Sequence, residues 1–255
     1  MRRIVLLGAS NLTQSFPRIV GRIGGAWDGP LFVYAAHGHG RSYGRWSRVL
    51  VRSLPAITAC GLWQDLDRDG NIDAPMSALI TDVGNDLIYG STPETISGWV
   101  AECCRRLAER RAEIVLTLLP MASVERLSAF RYHLTRAIFF PGSGPAWGDM
   151  QTRARELNAR LLELGRHFDA HVIEPRGEWY GFDPIHVRRG ARDAAWREIL
   201  SRWPSFDAGR IGTPLRWNQG LHLLARPPAE RRLLGRHQKA PQPSYQFGPV
   251  AVGLY

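Results

Sequence analysis

Short apolar runs recur along the first two hundred residues, and stretches with helical spacing lie between them. Ile4–Gly8, Leu31–Ala36, Ala78–Val83 and Glu113–Leu119 (EIVLTLL, ended by Pro120) are followed by a shorter run at Ala170–Ile173. Continuous runs of this length suit strands buried on both faces. Ser91-Thr92-Pro93-Glu94 offers a capping box with proline in the first turn. Behind it Ile96, Trp99, Val100, Cys103 and Leu107 share one helical face. Residues 149–168 set Ala154, Leu157, Leu161, Leu164 and Phe168 on another, and residues 190–202 set out Ala194, Ala195, Ile199 and Leu200. Strands alternating with helices long enough to cross over predict a parallel sheet covered on both sides. Beyond residue 206 the periodicity fades, and six of the chain's 17 prolines fall there. The expected division is one domain over 1–206 and a basic, proline-containing extension over 207–255, packed on the domain or trailing from it.

Composition narrows the class. At 44% hydrophobic and 22% charged residues the chain has a core to bury and is not disordered. No stretch approaches the ~18 apolar residues of a membrane span. The start, Met1-Arg2-Arg3 and then Ile4–Leu7, imitates a signal peptide, but its apolar run stops at Gly8-Ala9. The expectation is a cytoplasmic protein with no membrane span. Cys60, Cys103 and Cys104 have no metal-ligand spacing and are odd in number, which points to a reduced interior and no metal. The net charge of +10 is almost wholly arginine, Lys239 being the only lysine. This reads as a solvated basic surface, with nucleic acid an unlikely partner.

In an open parallel sheet, ligands bind beyond the carboxyl ends of the strands. Gly8-Ala9-Ser10-Asn11 follows the first run, His37–Ser42 the second and Gly84-Asn85-Asp86 the third; Asp183-Pro184-Ile185-His186 lies past the fifth. Those ends supply a hydroxyl, a base with a carboxylate to orient it, a carboxamide, and backbone amides freed by glycine. Together they are the parts of a serine hydrolase. Gly40 N–H, Ser10 N–H and the Asn85 side chain are candidate oxyanion donors. Singly, each part has a plainer reading: a helix cap for Ser10, turn chemistry for Asn85-Asp86, and a short pattern common by chance for Asp183 and His186.

The blocks Gly8-Ala9-Ser10-Asn11-Leu12, His37–Gly44, Asn85-Asp86 and Asp183-Pro184-Ile185-His186 resemble those of the SGNH hydrolases, the GDSL esterase/lipase superfamily, over about residues 3–203. The resemblance implies a Ser10, His186 and Asp183 triad. It also implies an oxyanion hole of Ser10, Gly40 (or Gly38) and Asn85, and no cofactor. With it, the expected fold is a three-layer α/β/α domain whose five-stranded parallel sheet has the flavodoxin-like order 2-1-3-4-5. The expected substrate is a small-molecule, carbohydrate or lipid ester. The aromatic side chains Tyr43, Trp46, Trp179 and Tyr180 lie in segments near this site, with core packing as their default role.

Three other readings compete. Gly38-x-Gly40-x-x-x-Gly44 after an apolar run, with Trp46, Val49 and Leu50 opening a helix, would cradle a dinucleotide, although no acidic residue closes the next run at Cys60-Gly61. Asp65-x-Asp67-x-Asp69-Gly70-x-Ile72-Asp73 copies the start of a calcium loop, but Met76 stands where the last glutamate should. The remaining alternative is a non-catalytic binding protein that offers an arginine-rich surface to acidic partners.

Overall fold

A computed structural model describes residues 1–70, 73–125 and 146–255. Its main sheet is built on β1 (Arg2–Leu7), β2 (Leu31–Ala36), β5 (Met76–Ile80), β6 (Glu113–Thr117) and β7 (His171–Ile173), all parallel and in the spatial order β2-β1-β5-β6-β7. This is the expected 2-1-3-4-5 arrangement. The strand count is not as expected. Two strands from the end of the chain extend the sheet past β2: β11 (Val250–Leu254), parallel to β2, and β10 (Tyr245–Phe247), antiparallel to β11. The sheet therefore has seven strands and one antiparallel edge. The run VAVGL, reached through a tight Gly248-Pro249 turn, is as long as β5 but lies in the proline-containing segment where no strand–helix alternation marks it.

The alternation of β1 shows the three layers. Val5 and Leu7 face a core made with α2 (Leu62–Asp69), α4 (Pro93–Ala108) and α6 (Trp147–His167). Ile4 and Leu6 face the opposite core, made with α1 (Ser10–Ala26), α7 (Arg192–Leu200) and α8 (Trp217–Ala225). Two short helices, α3 (Asn85–Ile88) and α5 (Met121–Glu125), follow β5 and β6. Helix α4 buries the predicted face, but its cap is Thr92, whose Oγ1 accepts from Thr95 N–H at 3.2 Å. On α7 the inward residue is Trp196 and not Ala194, which is exposed.

Helix α1, absent from the sequence reading, buries Leu12, Phe16, Ile19, Val20 and Ile23 along one face, and its glycines serve a second contact. A Cβ on Gly25 would stand 2.4 Å from Gly212 Cα, and one on Gly21 would stand 2.5 Å from Leu215 N. Backbone there lies directly on backbone, an approach that only glycine permits.

A second, four-stranded sheet runs β3 (Ser47–Val49), β4 (Arg52–Leu54), β8 (Glu230–Leu233), β9 (Arg236–Lys239), with every pair antiparallel. The segment after the glycine loop is thus a strand and not the helix that a dinucleotide cradle needs. The residues of the calcium-like run also fold otherwise. Asp65, Asp67 and Asp69 belong to α2, and Gly70, at φ +60, ends that helix. Asn71 and Ile72 lie outside the described residues.

Candidate active site

Ser10 stands where β1 gives way to α1. Gly8 N–H bonds back to Ala36 O at 3.1 Å, and a Cβ on Gly8 would come within 2.7 Å of Thr81 Cγ2, so only glycine lets the chain turn there. Ala9 holds the cap position, and Ser10 is the first helical residue. The open N–H groups are satisfied from outside. Asp82 Oδ2 accepts from Ala9 N–H at 2.9 Å and from Leu12 N–H at 3.1 Å. An imported carboxylate does the work of a side-chain cap, which leaves the Ser10 hydroxyl for another partner.

That partner is His186. Its Nε2 lies 2.9 Å from Ser10 Oγ, and its Nδ1 lies 2.6 Å from Asp183 Oδ2. Asp183 Oδ1 accepts from the N–H groups of Ile185 at 2.9 Å and His186 at 3.2 Å. Burial pushes the Asp183 carboxyl up, but the hydrogen bonds from His186 and from these two amides outweigh it and leave its pKa below the ordinary value. A bridge between Tyr180 and Val187 closes the base of this loop, and Ser123 of α5 donates to Pro184 O at 3.1 Å.

Asn11 joins the two halves. Its Nδ2 donates to Asp82 Oδ1 at 2.8 Å and Ile185 O at 3.0 Å, while its Oδ1 accepts from Val187 N–H at 2.8 Å. The residues on either side of His186 are therefore tied to the residue after Ser10.

On the other flank, Asn85 opens α3. It is 5% exposed, and its Nδ2 has no hydrogen-bond partner among the described residues. The neighbouring Asp86 receives Tyr43 N–H at 2.8 Å and the Ser42 hydroxyl, and Tyr89 O–H donates to Gly40 O at 2.6 Å. These bonds fasten α3 to the glycine loop. Burial raises Asp86 to a pKa of about 6, against the lowering pull of Ser42 and Tyr43. Gly40 has φ +61, and a Cβ there would collide with Tyr89 Oη and Val49 Cγ2, both at 2.7 Å. Gly38 is equally confined, 2.3 Å from Leu54 Cδ1. His37 Nδ1 lies 3.0 Å from Thr13 Oγ1, and burial first, then Arg41, pushes its pKa down to about 3.

Ser10, Asp183 and His186 are thus in hydrogen-bond contact, and Gly40 and Asn85 sit on two segments bound to each other. Sequence reasoning missed Asp82, the two-sided bonding of Asn11, and the Asp86 and Tyr89 anchors. One signal was available: Asp82 is a carboxylate inside the run Ala78–Val83, where strand β5 in fact stops at Ile80. Of the four aromatic residues, Tyr43 is core, its hydroxyl donating to Thr81 O at 2.7 Å. Trp46 is surface, stacked 4.6 Å from Arg232. Trp179 and Tyr180 line an apolar cavity of about 130 Å³ beside Asn85, together with Val83, Leu119, Met150 and Ile185.

No protein-family model matches the sequence, and neither does any curated protein. Solved structures do match. The likeness is to SGNH-type esterases and lipases. The psychrotrophic esterase EstA from Pseudoalteromonas sp. is 13% identical over 80% of this chain and 98% of its own, with a TM-score of 0.46. A GDSL-like lipase from Bacteroides thetaiotaomicron is 13% identical over 79% and 86%, with a TM-score of 0.49. An aryl esterase from M. smegmatis is 12% identical over 79% and 99%, also at 0.49. These are distant likenesses, and the case for chemistry stands on Ser10, Asp183 and His186 themselves. Among the described residues, no helix is long and apolar enough to cross a membrane, and no group of three or more His, Cys, Asp or Glu side chains could hold a metal ion.

Proposed function

We propose that the chain is a serine ester hydrolase. The observation that carries this reading is the line from Asp183 through His186 to Ser10 Oγ, at 2.6 and 2.9 Å. Serine at neutral pH is a weak nucleophile, and a base within hydrogen-bond reach activates it. Ser10 Oγ attacks the ester carbonyl while its proton passes to His186 Nε2. Asp183 fixes the Nδ1–H tautomer and stabilises the imidazolium that forms. The carbonyl oxygen gathers negative charge, and Asn85 Nδ2 with the N–H groups of Gly40 and Ser10 receives it. His186 then returns the proton to the leaving alcohol. A water, deprotonated by the same imidazole, hydrolyses the acyl-enzyme. No cofactor enters.

The cavity lined by Val83, Leu119, Met150 and Trp179 is the acyl side of this reading, and it suits an apolar acyl chain. Three free, buried cysteines accord with the cytoplasmic location expected from the sequence.

A serine-directed organophosphonate tests the reading. It is expected to label the wild type at Ser10, seen by peptide mass, and to leave Ser10→Ala unlabelled with an unchanged melting curve and no ester hydrolysis. Full hydrolysis by Ser10→Ala would end the proposal.

A further inference from the structure

Arg52 is unlike the other enclosed arginines of this chain. Arg41 donates to the carbonyls of His37, Pro55 and Tyr255. Arg3 pairs with Asp69 and Ala74 O, and Arg22 with Asp193 and Gly212 O. Arg52 is half-buried, yet among the described residues its side chain makes no hydrogen bond and no ion pair. The guanidinium keeps contact with solvent and so is open to a ligand, while partial burial lowers its pKa and strengthens any charge-assisted bond it makes.

Its place in the fold says what would complete it. Arg52 lies opposite Val49 in the β3–β4 hairpin, and this hairpin rests on the glycine loop. A Cβ on Gly40 would touch Val49, and one on Gly38 would be 3.7 Å from Arg52 Nη2. His39, exposed between those glycines, is held below its ordinary pKa by burial first, then by Arg52 and by His186. The guanidinium and the catalytic imidazole thus act on one residue from the same loop. The charges that bear on Arg52 share its sign, Arg231 foremost. The carboxylate that His39 senses, Asp82, is already bonded to Ala9, Asn11 and Leu12. Among the described residues, none supplies an anion to Arg52.

We propose that Arg52 binds an anionic oxygen group, a carboxylate or a phosphate, carried by the ester that Ser10 attacks. The proposal rests on the hydrolase reading above and deepens it to a substrate class. Arginine presents a planar fork of donors that matches such a group, and a partly dehydrated site strengthens the bond.

Two matched pairs of esters test it. Para-nitrophenyl butyrate against the mono-para-nitrophenyl ester of succinate places a carboxylate on the acyl side. Methyl para-acetoxybenzoate against para-acetoxybenzoate places it on the alcohol side. Wild type is expected to favour the anionic member of one pair at least tenfold in kcat/KM. Arg52→Gln should lower that ratio at least tenfold, through KM, and Arg52→Lys should keep part of it. Equal ratios in wild type and Arg52→Gln for both pairs overturn the proposal. Should wild type hydrolyse none of the four, calorimetric titration of inorganic phosphate decides. Binding weakened tenfold or more by Arg52→Gln keeps the anion site and removes the hydrolase reading; absent or unchanged binding removes both.

Discussion

The two flanks of Ser10 are built in opposite ways. On the His186 side every group has its partner: Asp183 accepts three hydrogen bonds, and Asn11 uses both ends of its carboxamide. On the Asn85 side a buried amide nitrogen has none among the described residues. A buried donor without an acceptor costs about 1–3 kcal/mol, so the first flank holds a geometry at low energy while the second holds an unmet demand. A demand of this kind is useful where the acceptor appears only during reaction. The bond to a developing oxyanion is stronger than the bond to a ground-state carbonyl, so it lowers the barrier more than it tightens binding. In the reaction proposed here, one flank is finished before substrate arrives and the other is finished by the transition state.

The contrast predicts different failures. His186→Ala removes the proposed base and should lower kcat by about 10⁴ or more. Asn85→Ala should lower kcat by about 10²–10³ with little change in KM and a melting temperature at or above that of wild type, because the deleted donor was unsatisfied in the resting protein. The double variant should cost less than the product of the two, since both groups act on one transition state. A lower melting temperature for Asn85→Ala with kcat intact would make Asn85 a turn residue and collapse the contrast.

Asn11→Ala should fail in the other manner. The residue holds Ile185 and Val187 to the start of α1 and touches no reacting atom in the arrangement proposed here. Its loss should lower the melting temperature by several degrees and reduce kcat about tenfold through a looser Ser10–His186 pair. Normal stability with a loss as large as that of Asn85→Ala would show that the tie is not what Asn11 supplies.

How far the sequence reached follows the same division. The five parallel strands and their order were legible, because a strand buried on both faces leaves a continuous apolar run. So was the placing of Ser10, Gly40 and Asn85 shortly past the ends of β1, β2 and β5. The supporting bonds were not. Asp82 and Asn11 act across 71 to 176 residues of sequence, and no local spacing records such a contact. Strands β8 to β11 were missed for a related reason. Each is three to five residues long, and their stability comes from distant partners, β4 and β2, more than from their own pattern.

On the Asn85 flank, His37 makes a smaller effect visible in pH. Its folded pKa, about 3, lies below the ordinary 6.5. Between those values the unfolded chain takes up a proton that the folded chain refuses, so this group's contribution is full above pH 6.5 and is lost as pH falls. Asp86, raised to about 6 from 3.8, works the other way over its own window, because there the folded chain holds the extra proton. The difference between wild type and His37→Gln isolates the histidine. In urea titrations the variant should gain on wild type as pH drops below 6.5, by up to about 1.4 kcal/mol per unit. Parallel pH profiles would mean that His37 is protonated in the folded protein.

The smallest effect expected is none at all, at the acidic run Asp65–Asp73, and it bears on whether that run is another unmet demand like Asn85. A calcium loop needs carboxylates converging from an open turn on one ion. Here Asp65, Asp67 and Asp69 lie on helix α2, where residues two apart point in different directions. Arginines already answer them: Arg68 bonds Asp65 at 2.8 Å, Arg110 bonds Asp67, and Arg3 stands 3.6 Å from Asp69. A cation would have to displace these pairs and unwind the end of the helix before it found enough oxygens. Exhaustive treatment with a chelator should therefore change neither the melting temperature nor ester hydrolysis, and added calcium should restore nothing. A drop of several degrees that calcium reverses would place a bound ion there, and would mean that the arginine pairs form only in its absence.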